Sequence, residues 1–272
     1  MSFPDLALHT VTTKPWNVYQ CIEHYARRGI GGVSIWRDVL EGEDLKKVSK
    51  AIRDAGLSPI SLVRGGFFTG LTEADREMGL QDTRNGMRQA AELGLGSIVL
   101  VTGATVGQGP RENYQQTRDA IGELAKDAKE LGVDLLIEPL HPVYAGDRSS
   151  VPSLAVANQL CAEIAHEKVG IAFDVYHCWW ELDLKEQLAR AGKEGWLRSY
   201  HICDFKPDQE DLLLDRGVMG EGCVRLAEID TWVKEAGFQG KREVEIFSKK
   251  WWQRDQGLFL DYIIGAAQEI YS

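Results

Sequence analysis

The chain has 272 residues, of which 44% are hydrophobic and 26% are charged, and its formal net charge is -10. This size and balance suit a globular protein with a sizeable core. The 31 basic residues form no run, so the footprint of a nucleic-acid-binding protein is missing and we expect no DNA or RNA partner. No apolar run approaches the length of a membrane span, and no signal pattern is visible at the N-terminus. We therefore expect no membrane association and a cytoplasmic location, with the five cysteines reduced.

Short β-type runs alternate with longer helical patterns along the whole chain. Several of the short runs are continuously apolar, which is typical of parallel strands covered by helices. The predicted strands are residues 6–9, 32–36, 59–64, 97–102, 134–139, 169–174, 198–203 and 243–247. The predicted helices include residues 16–28, 41–55, 74–93, 112–131 and 151–167. Glycines that mark helix ends follow many of them, namely Gly29, Gly56, Gly94, Gly132 and Gly237.

Eight such units in series, in a chain of this length, predict a closed (β/α)8 TIM barrel rather than an open doubly wound sheet. A dinucleotide-binding sheet is further disfavoured because no Gly-x-Gly-x-x-Gly motif follows the first strand. No linker or low-complexity segment divides the chain. We therefore predict a single α/β domain over residues 1–272.

In a TIM barrel the chemistry lies at the carboxyl ends of the strands, so the last residues of each strand are the informative ones. The predicted strands five to eight end with Glu138, Asp174, His201 and Glu245, each near an apolar run. One such residue could be an ordinary salt-bridging group at the rim, but four on successive strands predict a shared ligand. Three carboxylates and one imidazole suit one divalent metal ion, with Mn²⁺ or Mg²⁺ preferred and Co²⁺ or Zn²⁺ as alternatives.

Ordered segments at these strand ends carry a resemblance to a known family. They are Ile-Glu-Pro-Leu-His-Pro at 137–142, Phe-Asp-Val-Tyr-His at 173–177, His-Ile-Cys-Asp at 201–204, Asp-Arg at 215–216 and Glu-Val-Glu-Ile-Phe-Ser at 243–248. With these segments the sequence resembles the xylose-isomerase-like TIM-barrel sugar phosphate isomerases and epimerases over nearly its whole length. The resemblance implies that Glu138, Asp174, His201 and Glu245 bind the metal. It also implies that Glu138 and Glu245 form the catalytic acid and base pair.

The resemblance also implies contacts with substrate. His177 and Arg216 match positions that bind substrate oxygens in such enzymes. Related ketose epimerases often have a Pro-Gly-x-Gly turn in the following loop, whereas this chain has Val-Met-Gly-Glu-Gly at 218–222. That loop helps to cover the substrate, so the identity of the sugar stays open.

Three further residues at or just beyond strand ends are substrate-binding candidates. Trp36 offers an aromatic face of the kind that stacks on a sugar ring, although a packed loop layer or a subunit interface is the alternative. Arg64 could pair with a substrate anion or with the acidic rim of the barrel. His141 could touch the substrate, and loop packing is an equally good interpretation.

Two glutamates lie two residues apart on the eighth strand, so both should point to the same side. Glu245 is nearer to the strand end and is therefore the predicted ligand. Glu243 should lie deeper, and we expect it to pair with a base such as Arg198 or Lys241.

His9 and Asp204 are ambiguous in the sequence. His9 ends the first strand and could line the floor of the pocket or be a satisfied core histidine. Asp204 could support a second metal ion, but orienting the ligand histidine or capping the loop is the more common use of a carboxylate there.

These residues predict an enzyme that isomerises or epimerises a ketose, keto-sugar or related polyol through an enediolate, with a small-molecule sugar as its substrate. A dehydratase or β-eliminating lyase acting on a keto-cyclitol or keto-glycoside is the alternative, because the same intermediate can expel a β-hydroxyl. An endonuclease-like phosphodiesterase is a distant alternative, since such enzymes use the same barrel but gather three zinc ions with many more histidines than the six here. We also expect a homodimer.

Overall fold

The computed structural model describes residues 3–271. Eight parallel strands form a closed barrel in chain order, and the eighth strand pairs with the first. The strands are β1 Phe3–His9, β2 Ile30–Trp36, β3 Ser58–Gly66, β4 Ser97–Val101, β5 Asp134–Ile137, β6 Val169–Asp174, β7 Leu197–Ile202 and β8 Arg242–Val244. The predicted TIM barrel is therefore confirmed, while the domain limits at residues 1 and 272 stay a prediction.

Helices follow the strands, and the longer ones cover the outside of the barrel. The helices are α1 Val18–Arg27, α2 Leu45–Asp54, α3 Glu73–Leu93, α4 Pro110–Leu131, α5 Leu154–Ile164, α6 Val175–Cys178, α7 Leu184–Lys193, α8 Leu226–Glu235, α9 Lys249–Trp252 and α10 Gln256–Tyr271. None of the helices within residues 3–271 is long and apolar enough to cross a membrane.

The helix ends follow from local chemistry. The pattern over residues 41–55 begins as a helix only at Leu45, because the Asp44 side chain accepts hydrogen bonds from the amides of Lys46 and Lys47. At the C-terminal end of a different helix, α3, Gly94 takes a left-handed conformation with φ of 78°. The predicted role of such glycines in ending helices is thus confirmed here.

The eighth strand is shorter than its apolar pattern predicts, since β8 ends at Val244 and not at residue 247. Beyond that point the Thr12 hydroxyl takes the place of a strand partner on the β1 side. It donates to the carbonyl of Val244 and accepts from the amide of Ile246, both at 3.1 Å. Glu245 consequently lies just outside the barrel wall, at the mouth.

Inward-facing side chains divide the barrel interior into two parts. The apolar half comprises four buried side chains from β3 to β6: Val63, Val99, Leu136 and Ala172. The polar half comprises six buried side chains from β7, β8 and β1 to β3: His9, Ser34, Ser61, Ser199, His201 and Glu243. The polar half lies below the strand ends that carry His201 and Glu245.

Candidate metal centre

Four side chains meet at the carboxyl ends of β5 to β8. Glu138, Asp174, His201 and Glu245 each offer one donor atom, and these atoms all lie within 4.8 Å of one another. His201 is central, because its Nδ1 lies 3.0 Å from Glu138 Oε1 and 3.9 Å from Glu245 Oε2. Each of the four is at most 5% exposed. The ligand set predicted from the sequence therefore occupies one small buried volume, although its function as a ligand set stays a prediction.

The charges of this volume fit a cation. Three carboxylates lie together out of contact with bulk water, which is costly unless positive charge accompanies them. Arg216 supplies one positive charge, with its Nη1 3.0 Å from Asp174 Oδ2 and 3.2 Å from Glu245 Oε2. Oxygen donors with one imidazole form a set that hard and borderline divalent ions accept. The residues present therefore fit a divalent metal ion held by the four side chains.

Burial and neighbouring charges shift the pKa values of two of these groups. Burial raises the pKa of Asp174 to about 6, against the opposing effect of Arg216. For His201, burial lowers the pKa, but the hydrogen bond to Glu138 and the charges of Glu245 and Glu243 outweigh it and raise the pKa to about 10. A cation binding at Nδ1 at neutral pH must therefore displace a proton from His201.

Arg216 and His177 extend the cluster on the side of β6. Arg216 lies in the segment between β7 and α8 and is 3% exposed, and its Nη2 lies 3.2 Å from His177 Nε2. Its guanidinium also lies 4.4 Å from the centre of the Tyr176 ring. Burial, followed by the charge of Arg216, lowers the pKa of His177 well below its usual value, so this imidazole is neutral. The predicted pair thus lies beside Asp174 and Glu245, while its contact with substrate stays a prediction.

Acidic side chains other than the partners of Arg216 hold the loop that carries it. Asp215 accepts a hydrogen bond from Lys206, and Glu221 accepts one from the amide of Val218. Asp204 accepts hydrogen bonds from three amides of the same region, those of Phe205, Gly220 and Val224. Asp204 therefore caps the loop, which was the alternative to a second metal ion.

The glycine at 222 is required by this capping arrangement. A Cβ atom there would lie 2.3 Å from the carbonyl oxygen of Phe205 and 2.4 Å from Asp204 Oδ1, which no side chain tolerates. Gly222 thus permits the close approach of the loop to Asp204.

Of the remaining substrate candidates, only Trp36 touches the metal-ligand set. Its Nε1 donates to Glu245 Oε1 at 3.2 Å. Trp36 and Arg64 line a cavity of about 330 Å³ together with Val63 and Phe247. The Arg64 guanidinium lies 4.2 Å from the ring centre of Phe67, and among residues 3–271 its side chain has no hydrogen-bond acceptor.

His141 is held by the loop that follows β5. Its Nδ1 accepts a hydrogen bond from the amide of Val143 at 3.2 Å, and its ring packs edge-on against Trp180. Burial lowers the pKa of His141. These contacts agree with the interpretation that His141 packs the loop. A contact between His141 and the substrate stays a prediction.

The expected partners of Glu243 are wrong. Arg198 pairs with Asp134 at 2.9 Å, because it is adjacent to the inward-facing Ser199 and so points to the outer face of β7. Lys241 precedes β8 at the far end of the barrel and donates to the carbonyl of Pro4.

Instead, Glu243 accepts hydrogen bonds from three serine hydroxyls, and a histidine lies close to it. The donors are Ser34, Ser199 and, at 3.5 Å, Ser61. His9 Nε2 lies 3.3 Å from Glu243 Oε2. These partners share the inward-facing parity of Glu243. Counting alternate residues back from the predicted strand ends could have placed them inside the barrel, but not beside Glu243.

Comparisons with known proteins agree with the fold. A family model described as xylose isomerase-like TIM barrel matches residues 20–262. The crystal structure of protein SMc04130 from Sinorhizobium meliloti 1021 is 35% identical, with a TM-score of 0.94 and coverage of 98% of each chain. No curated protein matches the sequence.

Two more distant structures share the fold. IolI with a bound zinc atom is 21% identical, with a TM-score of 0.82 over 98% of this chain and 99% of that chain. The 3-keto-D-glucoside 4-epimerase YcjR from E. coli is 19% identical, with a TM-score of 0.78 over 98% of each chain. With a family model matched over most of its length, the chain belongs to the xylose isomerase-like TIM-barrel family.

Proposed function

We propose that this protein is a divalent-metal-dependent isomerase or epimerase of a ketose, keto-sugar or related polyol. The observation that carries the proposal is the meeting of Glu138, Asp174, His201 and Glu245 in one buried volume at the barrel mouth. Glu138 follows β5 and Glu245 follows β8, and both approach Nδ1 of His201. Two carboxylates that reach one centre from separate strand ends suit the removal and the return of a proton.

The relatives support the proposal at the level of chemistry. IolI was crystallised with zinc, and YcjR is a 3-keto-D-glucoside 4-epimerase. We propose Mn²⁺ or Mg²⁺ as the metal of this chain, with Co²⁺ or Zn²⁺ as alternatives, because three of the four donors are carboxylates.

The side chains divide the reaction between them. A bound divalent cation would draw electron density from neighbouring carbonyl and hydroxyl oxygens and so acidify the C–H bond between them. Glu245 takes up that proton, and Glu138 delivers a proton taken from solvent to the opposite face or to the neighbouring carbon. Exchange with solvent then returns both groups to their starting forms. Arg216 and the neutral His177 hold sugar oxygens and orient the substrate against the two carboxylates.

Two other activities would draw on related sites. A dehydratase or β-eliminating lyase needs the same proton removal and differs in the later expulsion of a β-hydroxyl. A three-zinc endonuclease needs many more clustered ligands. Within residues 3–271 only two groups of candidate metal ligands occur, and both of them include His201.

Solvent exchange tests the proposal even before the product is identified. The protein is incubated in D₂O with Mn²⁺ and a panel of ketoses and keto-cyclitols, and deuterium incorporation is followed by NMR. We expect exchange at one carbon adjacent to a carbonyl, which ceases when the metal is chelated and returns with Mn²⁺ or Co²⁺. Undiminished exchange in a metal-free preparation would contradict the proposal, and loss of a β-hydroxyl would identify the lyase.

We also propose a homodimer. Leu182, in the loop between α6 and α7, is fully exposed, and Trp180 in the same loop is 36% exposed. Large apolar side chains that stand together in solvent often mark an interface. Light scattering at micromolar concentration should give twice the chain mass, and a Leu182→Asp variant should give the monomer mass. A wild-type monomer under these conditions would refute the dimer.

A further inference from the structure

A chain of hydrogen bonds leads from the metal-facing histidine into the polar half of the barrel. His201 turns Nδ1 toward Glu138, and its other ring nitrogen, Nε2, lies 3.0 Å from Ser199 Oγ. The Ser199 hydroxyl donates to Glu243 Oε1. Because that hydroxyl has a single proton, it must accept from His201 Nε2, which therefore carries a hydrogen. This arrangement makes Nδ1 the ring nitrogen that a metal ion can bind once it has displaced the Nδ1 proton.

A second connection leads from the same carboxylate to the predicted base. His9 Nε2 lies 3.3 Å from Glu243 Oε2, and His9 Nδ1 lies 3.1 Å from Glu245 Oε1. His9 is fully buried and its ring packs edge-on against His201 at 4.5 Å between centres. His9 thus lies between the two glutamates of the β8 segment and faces one oxygen of Glu245. The other oxygen, Oε2, points toward His201 and Arg216.

We propose that Glu243 is a positioning residue that orients two members of the metal-ligand set at once, His201 through Ser199 and Glu245 through His9. This inference rests on the proposed metal site and goes beyond it, because neither Glu243, Ser199 nor His9 is a ligand. The β7–β8 register places Glu243 directly beside His201. The buried Glu243 carboxylate therefore reaches Ser199 with one oxygen and His9 with the other.

The hydrogen bonds favour a positioning role over a second metal ion. His9, His201 and Glu243 also lie close enough together to hold an ion. To bind one ion at Nδ1 and another at Nε2, however, His201 would have to lose both ring protons. The short contact of Nε2 with a serine hydroxyl, which itself donates to Glu243, fits a ring that keeps the Nε2 proton. We therefore expect one ion per chain.

A matched pair of serine variants tests the proposal. Ser199→Ala removes the acceptor of His201 Nε2–H. Ser61→Ala removes an equally buried hydroxyl that lies 3.5 Å from Glu243 and touches neither histidine. We expect the dissociation constant of Mn²⁺, measured by direct titration, to rise about 10- to 100-fold in Ser199→Ala. It should change less than about twofold in Ser61→Ala, and Ser199→Thr should restore most of the affinity because it keeps the hydroxyl.

The second connection is tested at Glu243 and His9. Glu243→Gln keeps the shape but exchanges one acceptor oxygen for an NH₂ group, and it should weaken Mn²⁺ binding at least as much as Ser199→Ala. His9→Asn should lower kcat more than it raises KM, because the base is displaced while the substrate contacts remain. Thermal unfolding of each variant, compared with Ser61→Ala, separates a metal effect from a loss of folding. If Glu243→Gln is too unstable to titrate, the Ser199 and Ser61 pair decides alone.

The outcomes separate this inference from the proposed function. If the wild-type protein binds no Mn²⁺ at all, the proposed function fails. If the wild type binds Mn²⁺ and Ser199→Ala binds it equally well, the proposed function stands and the positioning role is overturned. Two Mn²⁺ ions per wild-type chain would also overturn it, since Glu243 and His9 would then be ligands.

Discussion

The two halves of the barrel interior differ in what they bury, although they share one scaffold. The apolar half, with Val99 and Leu136 at its centre, has no polar group to satisfy and contributes stability by close packing. The polar half, with Glu243 and His9 at its centre, buries a carboxylate that accepts hydrogen bonds from serine hydroxyls and lies 3.3 Å from His9. Buried charge at this depth is costly. In the barrel interior this buried charge lies on the strands below His201 and Glu245, which is where the proposed metal site would use it.

The largest effect should come from the polar half, at the predicted base. Glu245→Gln keeps the size of the side chain but removes the charge that accepts the proton. We expect kcat at saturating Mn²⁺ to fall by about 10²–10⁴-fold, with a much smaller change in KM. The exposed Glu92 on α3 provides the control, since Glu92→Gln should leave kcat unchanged. Turnover by Glu245→Gln within twofold of the wild type would remove Glu245 from the mechanism.

A change in the apolar half should affect stability alone. Leu136 is 1% exposed, and Leu136→Ala should lower the free energy of unfolding by about 2–5 kcal/mol through loss of packing and the cavity left behind. Denaturant unfolding measures this change. The dissociation constant of Mn²⁺ should stay within about twofold of the wild type. A large loss of metal affinity in Leu136→Ala would break the distinction between the two halves.

Arg216 covers the polar half from above. Arg216→Ala should lower kcat/KM by about 10- to 100-fold through loss of hydrogen bonds to the sugar. Metal content should be unchanged, because removing the guanidinium leaves Asp174 and Glu245 more strongly negative toward a cation. Metal analysis of the purified variant checks this, and a metal-free variant would show that Arg216 supports the ligands instead.

The pH dependence of metal binding should reflect the protons of the polar half. The pKa of His201 is raised to about 10, so below that pH a cation must displace its proton. Mn²⁺ affinity should therefore rise about tenfold per pH unit between about pH 6.5 and 8.5. Below about pH 6 the fall should steepen, because Asp174, with a pKa of about 6, becomes protonated as well. Affinity independent of pH over this range would contradict the assigned ligands.

The sequence predicted the barrel and the place of the four ligand candidates because both depend on local patterns. Apolar runs end in polar residues, and parallel strands bring those ends to one side. The partners of Glu243 depend instead on which strands become neighbours across the barrel interior. His9 and Ser34 lie 234 and 209 residues from Glu243 in the chain, and no local pattern connects them.

Contacts between distant parts of the chain also explain where β8 ends. The strand stops before Glu245, where the Thr12 hydroxyl replaces a strand partner from β1. The apolar pattern of residues 243–247 carries no sign of that replacement, so the predicted strand was too long. The carboxylate partners of Arg216 could not be predicted from its local sequence either, because they lie on β6 and just after β8.

Equilibrium binding of Mn²⁺ tests the central claim, a single metal site at the barrel mouth, most directly. We expect one ion per wild-type chain, and a dissociation constant raised at least about tenfold in Asp174→Asn, which removes one charge from the ligand set. Wild-type protein that binds no Mn²⁺, Mg²⁺, Co²⁺ or Zn²⁺, or an Asp174→Asn variant that binds Mn²⁺ as tightly as the wild type, would contradict it.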